Sequence, residues 1–467
     1  MKINRLFTIG ALCVLPLLHA DAQKNNGGIS NETLQNLRNS YQETPANKAI
    51  RNAIAGNSID KLALNADAKN NLDDNFTYRV PTKGITNQKS SGRCWLFTGL
   101  NVLRAQALYE LELPQIEFSQ VYNFFYDQLE KSNLFLQGII DTAKKPMDDQ
   151  TVKWLFDHPL SDGGQFTGVA DIITKYGVVP KEVMPETFSS ENTSKLRQLL
   201  SLKLREDGLE LRKMVADGAK PAAIESRKNG MLEEVYKVLA LNLGVPPTEF
   251  TWTRRDKKGN AVDTKTYTPQ EFYREYLGND LKHDYVMIMN DPTREYYKVY
   301  EIDYDRHTYD GENWRYLNLP MDELKPLAIE SIKDSTAMYF SCDVAKFLNR
   351  ENGTLDIENF DYEALLGVNF GMDKRERIAT GASASSHAMT LVGVDLDQNN
   401  QPTKWLIENS WGNGANNGHL IATDKWMDEY LFRVVINKKY VPKKYLDMLK
   451  QKPIMLPAWD PLFSDEQ

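Results

Sequence analysis

The spacing of apolar residues changes character along the chain. Leu96, Phe97, Leu100, Leu103, Ala107, Leu108 and Leu111 recur every three or four positions, which predicts a buried helix over residues 94–112. Ser90 or Ser91 is expected to cap it, with Gly92 turning the chain into the helix. Ser119 opens a second helical stretch, with Val121, Phe124, Phe125 and Leu129 on one face. Residues 165–176 read as a third helix ended by Gly177, and helical patterns return at 194–217 and 222–243. Beyond these the apolar runs shorten to strand length, at 285–289, 297–302, 337–342, 387–394, 404–408, 420–422 and 432–436. The turn Lys257-Lys258-Gly259-Asn260 predicts a hairpin of its own. Helices gathered early and strands gathered late define an α+β protein. Residues 23–75, polar and rich in Asn, Ala and Lys, precede it as an N-terminal arm or linker.

Composition narrows the picture. A chain of 467 residues can bury a large core, and a formal charge of −8 without a basic stripe argues against nucleic-acid binding. Residues 1–22 read as a secretory signal: Lys2 and Arg5, an apolar run over 6–18, then Ala20-Asp21-Ala22. That run is too short to span a bilayer, so export without a stable membrane anchor is expected, to a bacterial periplasm or the exterior. Cys13 lies in the signal, leaving Cys94 and Cys342. Cys342, inside a strand-like run, reads as a small buried apolar residue. No HExxH, Walker A or zinc-type cysteine spacing occurs, so neither metal nor cofactor is expected.

Cys94 is the chemical focus. A polar loop, Asn87 to Arg93, delivers it to the start of a helix, where unpaired amides favour an anion and lower a thiol pKa. A thiolate needs a proton carrier. Among six histidines, His387 alone opens an apolar strand, after the small-residue loop 381–386. The strand over 404–408 follows the turn at Asp397-Gln398-Asn399-Asn400 and runs into Asn409-Ser410-Trp411-Gly412. A hairpin sets the start of one strand beside the end of the next, so His387 and Asn409 should meet. Asn409 can orient the imidazole without adding charge, and Trp411 can roof the bond. His158, His283, His307 and His419 stand in polar or loop-like surroundings.

Gln88, Cys94, His387 and Asn409, in that order, resemble the papain-like cysteine peptidases. Gln88-Lys89-Ser90-Ser91-Gly92-Arg93-Cys94-Trp95 is similar to the bleomycin hydrolase and aminopeptidase C branch, as are Gly163-Gly164-Gln165, Cys342-Asp343-Val344, Glu408-Asn409-Ser410-Trp411-Gly412 and Leu456-Pro457-Ala458-Trp459-Asp460-Pro461. The sequence departs from papain at Ser91, where papain has a disulfide cysteine, and at Arg93, before the nucleophile. The resemblance implies a two-lobed fold over residues 76–467, with Cys94 in a helical lobe and His387 and Asn409 in a β-barrel-like lobe. It also implies an insertion at about 185–330 and a C-terminal arm at about 451–467, since 293 residues separate Cys94 from His387 against roughly 130–150 in papain-type enzymes.

The same resemblance implies a cysteine aminopeptidase acting on peptides with a free N-terminus, assembled as a homo-oligomer, a hexamer in the family. Cys94 would be the nucleophile, His387 the acid and base, Asn409 its orienter, and Gln88 with the Cys94 amide the oxyanion hole. Gly163 and Gly164 read equally as a helix–helix turn or as a wall of the substrate cleft, with Trp411 beside them in substrate binding. In the family the C-terminal arm enters the cleft and its carboxylate meets the substrate's α-amino group, a role that falls here on Gln467 after the acidic Asp465 and Glu466. A papain-like endopeptidase, or a binding protein that keeps the fold without catalysis, are the alternatives.

Overall fold

A computed structural model describes residues 27–68, 72–111, 113, 116–460 and 462. Residues 1–22, read above as a signal, and Gln467 lie outside the described residues. The chain divides into two units, the first ending at Leu62 and the second starting at Ala63. In the first, Asn31–Ser40 and Pro45–Gly56 are helices whose N-termini are capped by Ser30 and Thr44, each hydroxyl accepting a backbone N–H.

In the second unit, helices gather around Cys94–Glu110. Its apolar face packs with Gln120–Asp141 and Phe166–Tyr176 in a core that includes Trp95, Leu100, Phe125, Ile139 and Val169. Ser119 caps the second of these, and Gly177 closes the third at φ 76°, a left-handed conformation that favours glycine. Ser194–Ala216 and Pro221–Leu243 pack on Gln120–Asp141, and the strands Phe250–Arg255 and Ala261–Tyr267 pair as a separate hairpin.

The remaining strands form one twelve-stranded mixed sheet. Its middle is antiparallel: Met338–Cys342 pairs with both His387–Leu396 and Leu431–Asn437, and His387–Leu396 pairs in turn with Pro402–Glu408. Sequence patterning located these strands to within a few residues. It did not anticipate where the region expected as an insertion would go. Tyr285–Met289 pairs with Leu431–Asn437, and Arg315–Asn318 and Val299–Ile302 continue the sheet outward from it. Three strands of the region expected as an insertion therefore belong to the large sheet, joined to it by a partner strand more than a hundred residues away in sequence.

The arm expected at 451–467 extends the same edge. Ile454–Leu456 runs parallel to Val299–Ile302, Asp460 forms an ion pair with Arg294, and buried Leu462 accepts a hydrogen bond from Ser385 N at 3.3 Å. Among the described residues, no helix is long and apolar enough to cross a membrane.

Candidate active site

Cys94 is the first residue of its helix and half-buried. The N-cap is Arg93, which makes no side-chain cap; Leu96 and Phe97 both donate to its carbonyl at 3.0 Å. The expectation of a serine cap is thus corrected. Ser91 Oγ instead donates to Gln88 O at 2.6 Å, because the loop folds back on itself before the helix starts. Gly92 N donates to Asp162 Oδ2 at 2.8 Å, and a Cβ on Gly92 would lie 2.6 Å from that carboxylate. Trp95 Nε1 donates to Asp162 O at 3.0 Å. Arg93 is fully buried, paired with Glu186 at 2.9 Å and packed on Phe97 and Phe124. Burial depresses its guanidinium pKa, with Glu186 opposing.

The histidine partner comes from the sheet. His387 Nε2 lies 3.0 Å from Asn409 Oδ1, the juxtaposition the hairpin predicts. Asn409 Oδ1 also accepts from Ser410 N at 2.8 Å, so the amide is fixed on both sides of that oxygen. Trp411 stacks on the imidazole, with centroids 5.1 Å apart and planes 28° from parallel. This leaves Nδ1 for proton exchange with a substrate or thiol. Burial pushes His387 down to about 4; the Asn409 hydrogen bond works against this, and the positive charge of Arg350 adds to it. An imidazolium at this position therefore needs an adjacent anion.

Buried polar contacts tie the Cys94 helix to the Asn409 strand. Gln88 N donates to Ser410 O at 2.8 Å and Gly412 N to Thr86 O at 2.9 Å. Asn101 Nδ2 reaches Thr86 Oγ1 at 3.0 Å and Ser410 Oγ at 3.3 Å. Arg104 pairs with Glu408, next to Asn409, at 2.6 Å. Burial raises the Glu408 pKa, with Arg104 opposing. Thr98, Asn101 and Arg104 form a buried polar stripe on an otherwise apolar helix, on the same face as Cys94. That interruption of periodicity was the available signal for these residues, and the sequence reading passed over it. Gln88 is 6 % exposed; its Nε2 donates to Ser91 O at 2.8 Å, which leaves the second N–H of the amide for another acceptor. Lys89 beside it is held at φ 55°, a strained backbone within the loop.

Gly163 and Gly164 sit beside the nucleophile helix. Gly163 O accepts from Lys131 Nζ at 2.5 Å, and a Cβ on Gly164 would lie 2.2 Å from the His307 ring and 3.1 Å from Trp95. His307 lies in a loop, as expected, but is buried there. It is 3 % exposed, 2.5 Å from Asp127 Oδ1 and edge-on to Trp95, while Asp127 also pairs with Lys131 at 3.1 Å. The loop-like sequence around it concealed this, since its partner lies 180 residues away. Cys342 is fully buried opposite His387 in the sheet, and no disulfide links it to Cys94.

A thiol at a helix start and a histidine held by an asparagine, on an α+β papain-like fold, define a cysteine peptidase. The chain belongs to the Peptidase C1-like family, whose model matches residues 28–463. It is 39 % identical to the aminopeptidase C of Lactobacillus delbrueckii subsp. lactis, over 93 % of this chain and 98 % of that one. It is 38 % identical to the bleomycin hydrolase of Mus musculus, over 94 % and 99 % of the two chains. The crystal structure of PepW from Lactobacillus rhamnosis HN001 (DR20) superposes with a TM-score of 0.90 at 40 % identity, covering 93 % of this chain and 98 % of that one.

Proposed function

We propose that this cysteine peptidase is an aminopeptidase, removing residues from the free N-terminus of peptides. Cys94 thiolate attacks the first peptide carbonyl, and the oxyanion that forms accepts hydrogen bonds from the Cys94 amide and the second N–H of Gln88. Nδ1 of His387 gives its proton to the departing amine as the C–N bond breaks, leaving a thioester on Cys94. The same nitrogen then takes a proton from the attacking water, and the thioester opens to the free amino acid and the thiolate. Asn409 keeps the imidazole turned with Nδ1 inward.

The restriction to N-termini is carried by one observation, the hydrogen bond from Ser385 N to Leu462 O at 3.3 Å, two residues from His387. The sequence after Leu462 is acidic, with Asp465 and Glu466. An acidic segment following Leu462 would favour a substrate ammonium over a blocked N-terminus. Gly163 and Gly164 are proposed as a wall of the cleft; a side chain at Gly164 would meet His307 and Trp95. The aminopeptidase names of the relatives support the same reading. Mass spectrometry of a pentapeptide digest tests it: residues should leave one at a time from the N-terminus, and an internal cut as the first event would contradict it.

The protein is also proposed to be a homo-oligomer. Phe188, Leu202, Leu241 and Val245 are 81 %, 64 %, 76 % and 69 % exposed in the 185–330 region, apolar side chains that a second copy would cover. Export through residues 1–22 rests on the signal pattern alone.

A further inference from the structure

A charged group stands where the catalytic set does not need one. The short strands Leu348–Asn349 and Thr354–Leu355 form a hairpin, and Arg350 begins its tip. The tip is a built turn. Asn349 Oδ1 accepts from Glu351 N at 3.1 Å and Asn352 N at 3.3 Å. Asn416 Nδ2 donates to Asn352 O at 3.0 Å and Gly353 O at 3.3 Å, so the turn is anchored to the loop that follows Trp411. Gly353 is left-handed there at φ 65°, and a Cβ on it would lie 2.9 Å from Ala415.

This anchoring holds the exposed Arg350 guanidinium over the Trp411 ring, 4.9 Å from its centroid. Among the described residues no carboxylate pairs with it. It lines a cavity of about 110 Å³ together with Leu348, Gly353, Asn409, Trp411, Ala415 and His419. Arg350 is the one Arg or Lys on that wall, and no Asp or Glu lines it. Cation–π contact at an exposed site fixes a guanidinium in place without neutralising it, so its N–H fork stays available to an anion.

The position fixes which anion. His387 must protonate the departing nitrogen, so the leaving part of the peptide starts at the imidazole and passes Trp411, which stacks on it. The two ring contacts put the guanidinium within about 10 Å of the imidazole, the reach of two or three extended residues. We propose that Arg350 and Trp411 form a carboxylate-binding subsite for the leaving portion of the peptide. The carboxylate comes from a peptide C-terminus two or three residues beyond the cut, or from an acidic side chain on the first leaving residue. The inference rests on the peptidase reading, and it makes short or acidic peptides the favoured substrates.

Two substrate pairs distinguish the sources: Ala-Ala-Ala against its C-terminal amide, and Ala-Glu-Ala amide against Ala-Gln-Ala amide. Initial-rate kcat/KM ratios within each pair cancel changes that affect both members. The charged member should be preferred about tenfold in at least one pair, and Arg350→Gln should bring that ratio near one, with Arg350→Lys in between. The pair that responds identifies the carboxylate. Equilibrium binding of the same peptides to Cys94→Ala protein gives a second reading without turnover, and the same preference should disappear with Arg350→Gln. Ratios that Arg350→Gln leaves unchanged in both pairs, or equal binding of charged and neutral members, overturn the subsite. Preferential binding to Cys94→Ala protein alongside a wild-type enzyme that cuts none of the four peptides would instead contradict the aminopeptidase reading.

Discussion

At the scale of single residues, the account divides attack, proton transfer and orientation among three side chains. Cys94→Ala should abolish turnover and leave the melting temperature within a few degrees of wild type, because a half-buried thiol at a helix start contributes little packing. Peptide hydrolysis and thermal denaturation check both halves of that statement. His387→Ala should remove activity more completely than Asn409→Ala, which loses orientation but keeps the proton carrier. Asn409→Ala should also cost about 1–3 kcal/mol of stability, since Ser410 N loses its buried acceptor. His387 adds a pH signature. Burial holds its folded pKa at about 4 against an ordinary 6.5, so the unfolded chain takes up the proton first as pH falls. Stability should therefore decline from about pH 6.5 downward, by about 1.4 kcal/mol per pH unit until pH 4, in the Cys94→Ala protein, where no thiolate can hold the imidazolium. Urea titrations at pH 7.5 and 5 should show the decline in Cys94→Ala and a smaller one in Cys94→Ala/His387→Gln. Equal slopes would contradict the buried neutral imidazole. Cys94, His387 and Asn409 were legible because each sits at a break between a small-residue or polar loop and an apolar run. His307 was not, because its burial depends on Asp127 and Trp95, which no local pattern connects to it.

At the scale of elements, the site depends on how the Cys94 helix meets the Asn409 strand. Arg104 and Glu408 form a buried ion pair across that junction, so Arg104→Met should leave an uncompensated carboxylate and cost about 3–5 kcal/mol, measured by urea unfolding. A loss under 1 kcal/mol would mean the pair does not hold the junction. The glycines make a sharper case. Gly164→Ala would drive a methyl into the His307 ring, with Trp95 directly behind it. It should therefore reduce both stability and activity, whereas Gly414→Ala, with open space around it, should do neither. Helices and strands themselves were readable from spacing, since amphipathic period and turn residues are local properties. Sheet order was not. Tyr285–Met289 joins Leu431–Asn437, and nothing near either segment encodes that pairing. The serine cap failed for a related reason: Ser91 is committed to Gln88 O, leaving Arg93, held by Glu186, at the cap position.

At the scale of the whole molecule, two proposals stand to be tested, assembly and the role of the arm. Leu202→Glu combined with Leu241→Glu should shift a homo-oligomer toward smaller species in light scattering, because charge on those exposed leucines opposes a second apolar face. A monomeric wild-type mass at micromolar concentration would contradict the assembly. The arm was legible in part. Two prolines and Trp459 marked a stiff, apolar segment, but only the folded chain reveals that it follows a sheet edge to Ser385. The most direct test compares initial rates on one peptide with a free N-terminus and on its N-acetylated form, for the wild type and for a variant lacking residues 463–467. The account predicts that the wild type cuts the free-amine peptide and spares the acetylated one, and that the shortened variant loses this discrimination. Efficient cleavage of the acetylated peptide by the wild type, with the same ratio after shortening, would contradict it.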